Sequence, residues 1–96
     1  ADNAKDELRD IARLRLASLL LDEQAHDEAL KQLAATHRPA FAASFLELKG
    51  DVLSAQGNAA EARAAYKAAL EKLSSKDGGT VRELLQQKID SLGETA

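Results

Sequence analysis

Shifted by 33 positions, the sequence partly overlays itself: Ala17 falls on Gly50, Leu20 on Leu53, Ala29 on Ala62 and Leu33 on Tyr66. Self-similarity at such a period is the mark of stacked helical units, each unable to bury its apolar face alone. In each unit a small residue of a first helix is set near a small residue of a second. Two backbones can then approach, while Leu20 or Leu53 fills the gap beside them. Gly50 and Ala62 are therefore expected to face one another across a helical seam.

Composition agrees with a core built by close approach rather than by bulk. The stretch LKGDVLSAQGNAAEARAAYKAAL, residues 48–70, is dominated by alanine and glycine, and the whole chain has three aromatic residues, Phe41, Phe45 and Tyr66. At 96 residues and 45% hydrophobic the chain makes one modest domain, able to bury roughly 60–65% of its unfolded surface. Its 13 basic and 16 acidic side chains are interspersed, for a net charge of −3. Without a basic stripe or an aromatic platform, nucleic acid has little to bind. Absence of cysteine removes disulfides, thiol catalysis and thiolate metal sites. The longest apolar run, LASLLL at 16–21, is far short of the roughly 20 residues of a bilayer span.

Helical periodicity accounts for nearly all of the chain, and no segment reads as a strand. The first helix is expected from Asn3 to about Glu23, with an apolar stripe of Leu8, Ile11, Ala12, Leu16, Leu19 and Leu20. Asn3 is placed to cap it, with Asp6 three residues later. A second helix from Asp27 to about Thr36 turns Ala29, Leu30, Leu33 and Ala34 inward, and THRPA breaks it. Pro39 suits a helix start, so the third helix runs from Pro39 to about Gln56, ended by a left-handed Gly57. Asn58 with Glu61 is a capping-box signature for a fourth helix reaching Leu73. After a flexible SSKDGG loop, Thr80 with Glu83 is a second box, opening a fifth helix whose stripe is Val81, Leu84, Leu85, Ile89 and Leu92.

The period and the placing of Ala17, Leu20, Ala29, Leu33, Gly50, Leu53, Gly57, Ala62, Tyr66 and Ala69 resemble the tetratricopeptide pattern. The second unit matches well. In the first, Gln24 stands where Gly57 supplies the turn; in the second, Leu46 and Lys49 depart from or only approximate the usual large residues. The expected fold is all-α, a tetratricopeptide-like helical-repeat solenoid of two helix pairs and a C-terminal capping helix. Its divisions are residues 1–37 for the first repeat, 38–75 for the second and 76–96 for the cap. Solenoids generally need about three units, so either the chain continues upstream or its open first repeat docks on another copy.

The motifs FLELKGDVLSAQGNAAEARAAYKAAL and LLQQKIDSL resemble the C-terminal half of the ancillary SecYEG translocon subunit family, and ARLRLASLLLDEQAHDEALKQL is similar to its preceding repeat. KGD at 49–51, AAY at 64–66 and QKID at 87–90 are the more distinctive matches. The resemblance implies a protein-interaction module of an accessory subunit on the periplasmic face of the bacterial inner membrane. It further implies that translocon subunits, a periplasmic chaperone and exported clients are partners, and that membrane contact comes through an N-terminal anchor outside these residues. A generic tetratricopeptide scaffold in envelope assembly and a self-associating module, a homodimer through the open first repeat, are the alternatives.

No catalytic residue, metal site or cofactor is expected. His26 and His37 lie in expected turns without a helically spaced second ligand, and Ser18, Ser44, Ser54, Ser74 and Ser75 have no nucleophile motif around them. Asp22, Glu23, Asp27 and Glu28 lack the alternating spacing of a calcium loop, and Asp27 and Glu28 suit a helix N-terminus. What remains is a surface. In superhelical helix pairs the first helix of each unit lines the concave face, which assigns Leu14, Ser18 and Leu21, with Ser44, Glu47, Asp51 and Ser54, to a protein-binding groove. Leu14 and Leu21 would receive an apolar side chain there, or simply cover the place of a missing neighbour. Glu47 and Asp51 would meet basic groups.

Overall fold

The computed structural model describes residues 2–74 and 76–93, with side chains from residue 4 onward. Five α-helices follow in order: α1, Asp2–Asp22; α2, His26–Leu33; α3, Ala42–Ala55; α4, Ala59–Lys72; and α5, Gly79–Ser91. No strand occurs among the described residues. α1 packs against α2 and α3, α3 against α4, and α4 against α5. The resulting body measures 50 × 33 × 17 Å, about one and a half helix diameters thick. It is a tetratricopeptide-like solenoid of two helix pairs closed by a terminal helix.

The repeat is clearest in its two tight turns. In the second, the Asn58 N–H donates to Leu53 O at 2.9 Å and the Gly57 N–H to Ser54 O at 3.0 Å, with Gly57 at φ 84°. In the first, the Ala25 N–H donates to Leu20 O at 2.8 Å and the Gln24 N–H to Leu21 O at 2.9 Å. Both are Schellman ends, which satisfy the last carbonyls of a helix through one left-handed residue. Gln24 fills that position at φ 64°, a strained setting for a residue with a Cβ. The glycine missing from the first repeat is thus replaced without changing the turn.

Several boundaries differ from the sequence expectation. Asn58 makes no side-chain cap hydrogen bond. Its N–H, which a capping-box Glu61 would need, is already held by Leu53 O. Thr80 does not open α5. The helix begins at Gly79 with an extended Gly78 before it and no side-chain cap, because Gly78 O already accepts from the Val81 N–H. The expected Asn3 cap lies outside the described side chains, as Ser75 lies outside the described residues.

α2 ends at Leu33 rather than Thr36, and the third helix starts as a 3-10 turn, Pro39–Phe41. Both changes trace to the proline. Arg38 must be extended ahead of Pro39 and sits at φ −75°, ψ 147°. Its N–H donates to Asp10 Oδ2 at 3.0 Å. Asp10 is the one charged side chain fully buried among the described residues, and it ties the linker to α1. His37 is not a surface turn residue: it is half-buried and stacks on Phe45 at 4.0 Å. His26 is the first residue of α2. The SSKDGG loop is cross-tied, with the Asp77 carboxylate accepting from the Ser74 N–H at 2.6 Å and the Ser74 hydroxyl at 3.2 Å.

The core divides in two. Ala17, Ala29, Leu33, Phe45 and Val52 form one cluster, with Leu14, Leu20 and Leu21 half-buried against it. Leu53, Ala62, Ala65, Tyr66, Ala69, Leu85 and Ile89 form the other. α3 contributes to both, and Leu30 of α2 packs against both. Ala34, expected inside, is exposed, as are Val81 and Leu84 on α5. The seam of the second pair also differs in detail. A Cβ on Gly50 would lie 2.4–2.9 Å from three atoms of the Tyr66 ring, its nearest neighbours. The large residue of α4, not Ala62, presses on the glycine of α3.

Candidate interaction surfaces

Gly50 lets Tyr66 lie flat against α3, and this places the phenol beside Glu47 and Asp51, two carboxylates one turn apart on that helix. The Tyr66 hydroxyl donates to Asp51 Oδ1 at 2.6 Å. From α5, Lys88 Nζ donates to Glu47 Oε2 at 2.8 Å and to Asp51 Oδ1 and Oδ2 at 3.0 and 3.2 Å. The ammonium also stands 5.7 Å from the Tyr66 ring centroid, over its face. Three helices therefore meet at two acids, one cation and one phenol. Arg63 of α4 adds a hydrogen bond to the Gly93 carbonyl at the far end of α5.

The electrostatics of the cluster follow from its partners. Burial, then the hydrogen bond to Asp51 and the charges of Asp51 and Glu47, push the Tyr66 phenol well above its ordinary range. Burial acts to lower Lys88, but the hydrogen bonds to Glu47 and Asp51 and the pull of both carboxylates outweigh it and hold the ammonium above its usual value. Both groups keep their protons at neutral pH. The shift prepares neither group as a base or an amine nucleophile, and the arrangement is a fixed electrostatic clasp.

The residues assigned to a groove have distinct settings. Ser44, Glu47, Asp51 and Ser54 follow each other at helical spacing along one face of α3, with the serines exposed and the acids half-buried. The basic group that meets Glu47 and Asp51 is this chain's own Lys88. On α1, Ser18 is exposed, while Leu14 and Leu21 pack against the first core cluster. Lys88 escaped the sequence reading, although it sits three residues after Leu85 and four before Leu92, a cation on an otherwise apolar stripe.

A separate cavity of about 620 Å³ opens between α2 and α4 over α3, with Leu30, Leu33, Leu46 and Leu53 along its walls and the exposed Lys49 and Glu61 at its edge. The sequence signal for it was the run of small residues on α4, where Ala64, Ala65 and Ala68 leave room. A third surface runs along α1. Of the expected inward stripe, Leu8, Leu16 and Leu19 are exposed by 66%, 41% and 59%. What α1 buries instead is Asp10 and Ala17. No group of three or more metal-binding side chains occurs among the described residues, and none of their helices is long and apolar enough to cross a membrane.

The family model described as a tetratricopeptide repeat-like domain matches residues 1–94. The chain belongs to the tetratricopeptide repeat-like domain family. It is also similar to the ancillary SecYEG translocon subunit of Neisseria gonorrhoeae (strain ATCC 700825 / FA 1090), being 43% identical over 91 residues. That match covers 94% of this chain and 43% of the relative, so the chain spans less than half of the relative's length. No solved structure matches it. A tetratricopeptide-like domain with small residues at its seams accounts for the paired Schellman turns and for the row of exposed helix faces described above.

Proposed function

We propose that this chain is the partner-docking part of an ancillary subunit of the Sec translocon, acting at the periplasmic face of the bacterial inner membrane and working with an envelope chaperone on exported proteins. The observation that carries this reading is the 43% identity to a protein named as such a subunit, over 94% of the chain. A repeat fold supports it, because stacked helices offer extended faces to other proteins.

The docking face on this reading is the one carrying Ser44, Glu47, Asp51 and Ser54 of α3 with Leu14, Ser18 and Leu21 of α1. Photo-crosslinking amino acids at the exposed Ser18, Ser44 and Ser54 test it in the full-length protein in inner membranes. Crosslinks to translocon subunits or a periplasmic chaperone are the expected result. Crosslinks to neither, under conditions where the protein is abundant and folded, would remove the proposal.

A further inference from the structure

The side of α3 turned away from the clasp forms a trough. At about 100° of turn per residue, Leu46, Lys49 and Leu53 share a face nearly opposite Glu47 and Asp51. That face is the floor of the cavity of about 620 Å³, with Leu30 and Leu33 of α2 on one wall and Ala64 and Ala68 of α4 on the other. The two walls differ in length: α2 has 8 residues and stops at Leu33, whereas α4 has 14. The trough lies within residues 30–68, between the two repeats, and is not a face left open at an end of the chain. Two charged side chains border it. Glu61 stands in the first turn of α4, where the helix dipole already favours an anion. Lys49 is exposed, sits between Leu46 and Leu53 on the apolar row, and its ammonium has no partner among the described residues. The unmet charge at the trough is positive.

We propose that the trough takes an acidic amphipathic helix of a partner protein, with aliphatic side chains entering between α2 and α4 and a carboxylate reaching Lys49. The volume is in the range of a small-ligand pocket. It opens to solvent between the two helices, however, and an open trough leaves much of a free amphiphile wet where a ligand pocket buries most of it. A helix that keeps its polar side in water has no such need, and lays its apolar row along a groove of this kind. The sign of the helix follows from Lys49, since a basic one would set like charges against each other. With one short wall the contact is small, so the affinity is on the order of 100 µM. The proposal stands apart from the export reading, whose docking face is the opposite side of α3.

Fluorescence anisotropy with the 96-residue chain tests it. The probe is a labelled, end-capped leucine–glutamate helix about four turns long, and its control is a leucine–lysine helix of the same pattern. The acidic peptide should bind saturably, and the basic one at least about tenfold more weakly. Lys49→Glu should reverse that preference. Ala64→Leu combined with Ala68→Leu should fill the trough and weaken the acidic peptide by about tenfold or more, with unchanged circular dichroism because neither side chain belongs to a core cluster. Leu16→Glu, on the exposed stripe of α1, should leave binding unchanged. Binding of neither peptide would overturn the proposal, as would equal binding of both. Binding lost in Leu16→Glu but kept in the trough variants would also overturn it, by placing the peptide on α1. Laurate binding that the trough variants abolish, with no peptide binding, would replace the helix with an acyl chain.

Discussion

Gly50 and Tyr66 show how one missing methyl can position a polar cluster. Any Cβ at residue 50 would fall within 2.4–2.9 Å of ring atoms, and the ring cannot easily swing aside because its hydroxyl is held by Asp51. Gly50→Ala gains about 0.5–1 kcal/mol of helix preference but incurs about 1–3 kcal/mol of overpacking. A net loss of about 1–2 kcal/mol is expected in urea denaturation. The same cluster sets a pH dependence. Tyr66 and Lys88 both hold their protons more tightly folded than unfolded, from ordinary values of 10.0 and 10.5. Their contribution is therefore complete below about pH 10 and is lost as the pH rises through the raised folded values. With one tyrosine and no tryptophan, tyrosinate absorbance reports Tyr66 alone, and its rise should coincide with alkaline unfolding. Tyr66→Phe should flatten the fall in stability above pH 10 by removing one of the two titrating groups. A normal tyrosinate titration in a chain that remains folded would contradict this account. Tyr66 was legible in the sequence as a repeat position. Its clasp was not, because the partner Lys88 lies in a different helix and no local spacing joins the two.

At the scale of elements, the two Schellman turns give a direct comparison. Gln24 and Gly57 occupy equivalent left-handed positions, where a residue with a Cβ costs about 1–2 kcal/mol. Glycine carries an entropic cost of about 0.5–1 kcal/mol, so Gln24→Gly should stabilise the chain by about 0.5–1 kcal/mol. Gly57→Ala, the reverse exchange, should destabilise it by about 0.5–1 kcal/mol. Thermal melts of the pair check both signs. These turns were readable from sequence because a 33-residue offset aligns them. The helix starts were less readable. Asn58 and Thr80 have capping residue types, but a backbone carbonyl had already claimed the donor in one case and begun the helix upstream in the other. The direction of α1 was misread for a related reason. Leu8, Leu16 and Leu19 make the stronger periodic stripe, yet the turn geometry and the Asp10–Arg38 bond rotate a different face, with Ala17 and Asp10, toward α2 and α3. Periodicity identifies an apolar face and does not say which neighbour, if any, covers it.

For the whole molecule, the divided core is the governing feature. Leu85 belongs wholly to the cluster of α3, α4 and α5, while Phe45 and Val52 serve the cluster with α1 and α2. In a stack held by nearest neighbours, stability is close to a sum of local terms. Leu85→Ala, at a fully buried site, should cost about 2–5 kcal/mol. By hydrogen exchange it should speed opening of α4 and α5 far more than that of α1 and α2. Equal acceleration throughout would indicate a single cooperative unit. The solenoid as a class was visible in the repeat, whereas the partition of its core depended on α3 showing different residues to each side. Leu53 and Val52 are adjacent in the chain yet belong to different interiors. One helix thus serves as a party wall. A tug, a bound protein or a lesion on one side should reach the other chiefly through that wall and through Leu30, the α2 side chain that touches both interiors.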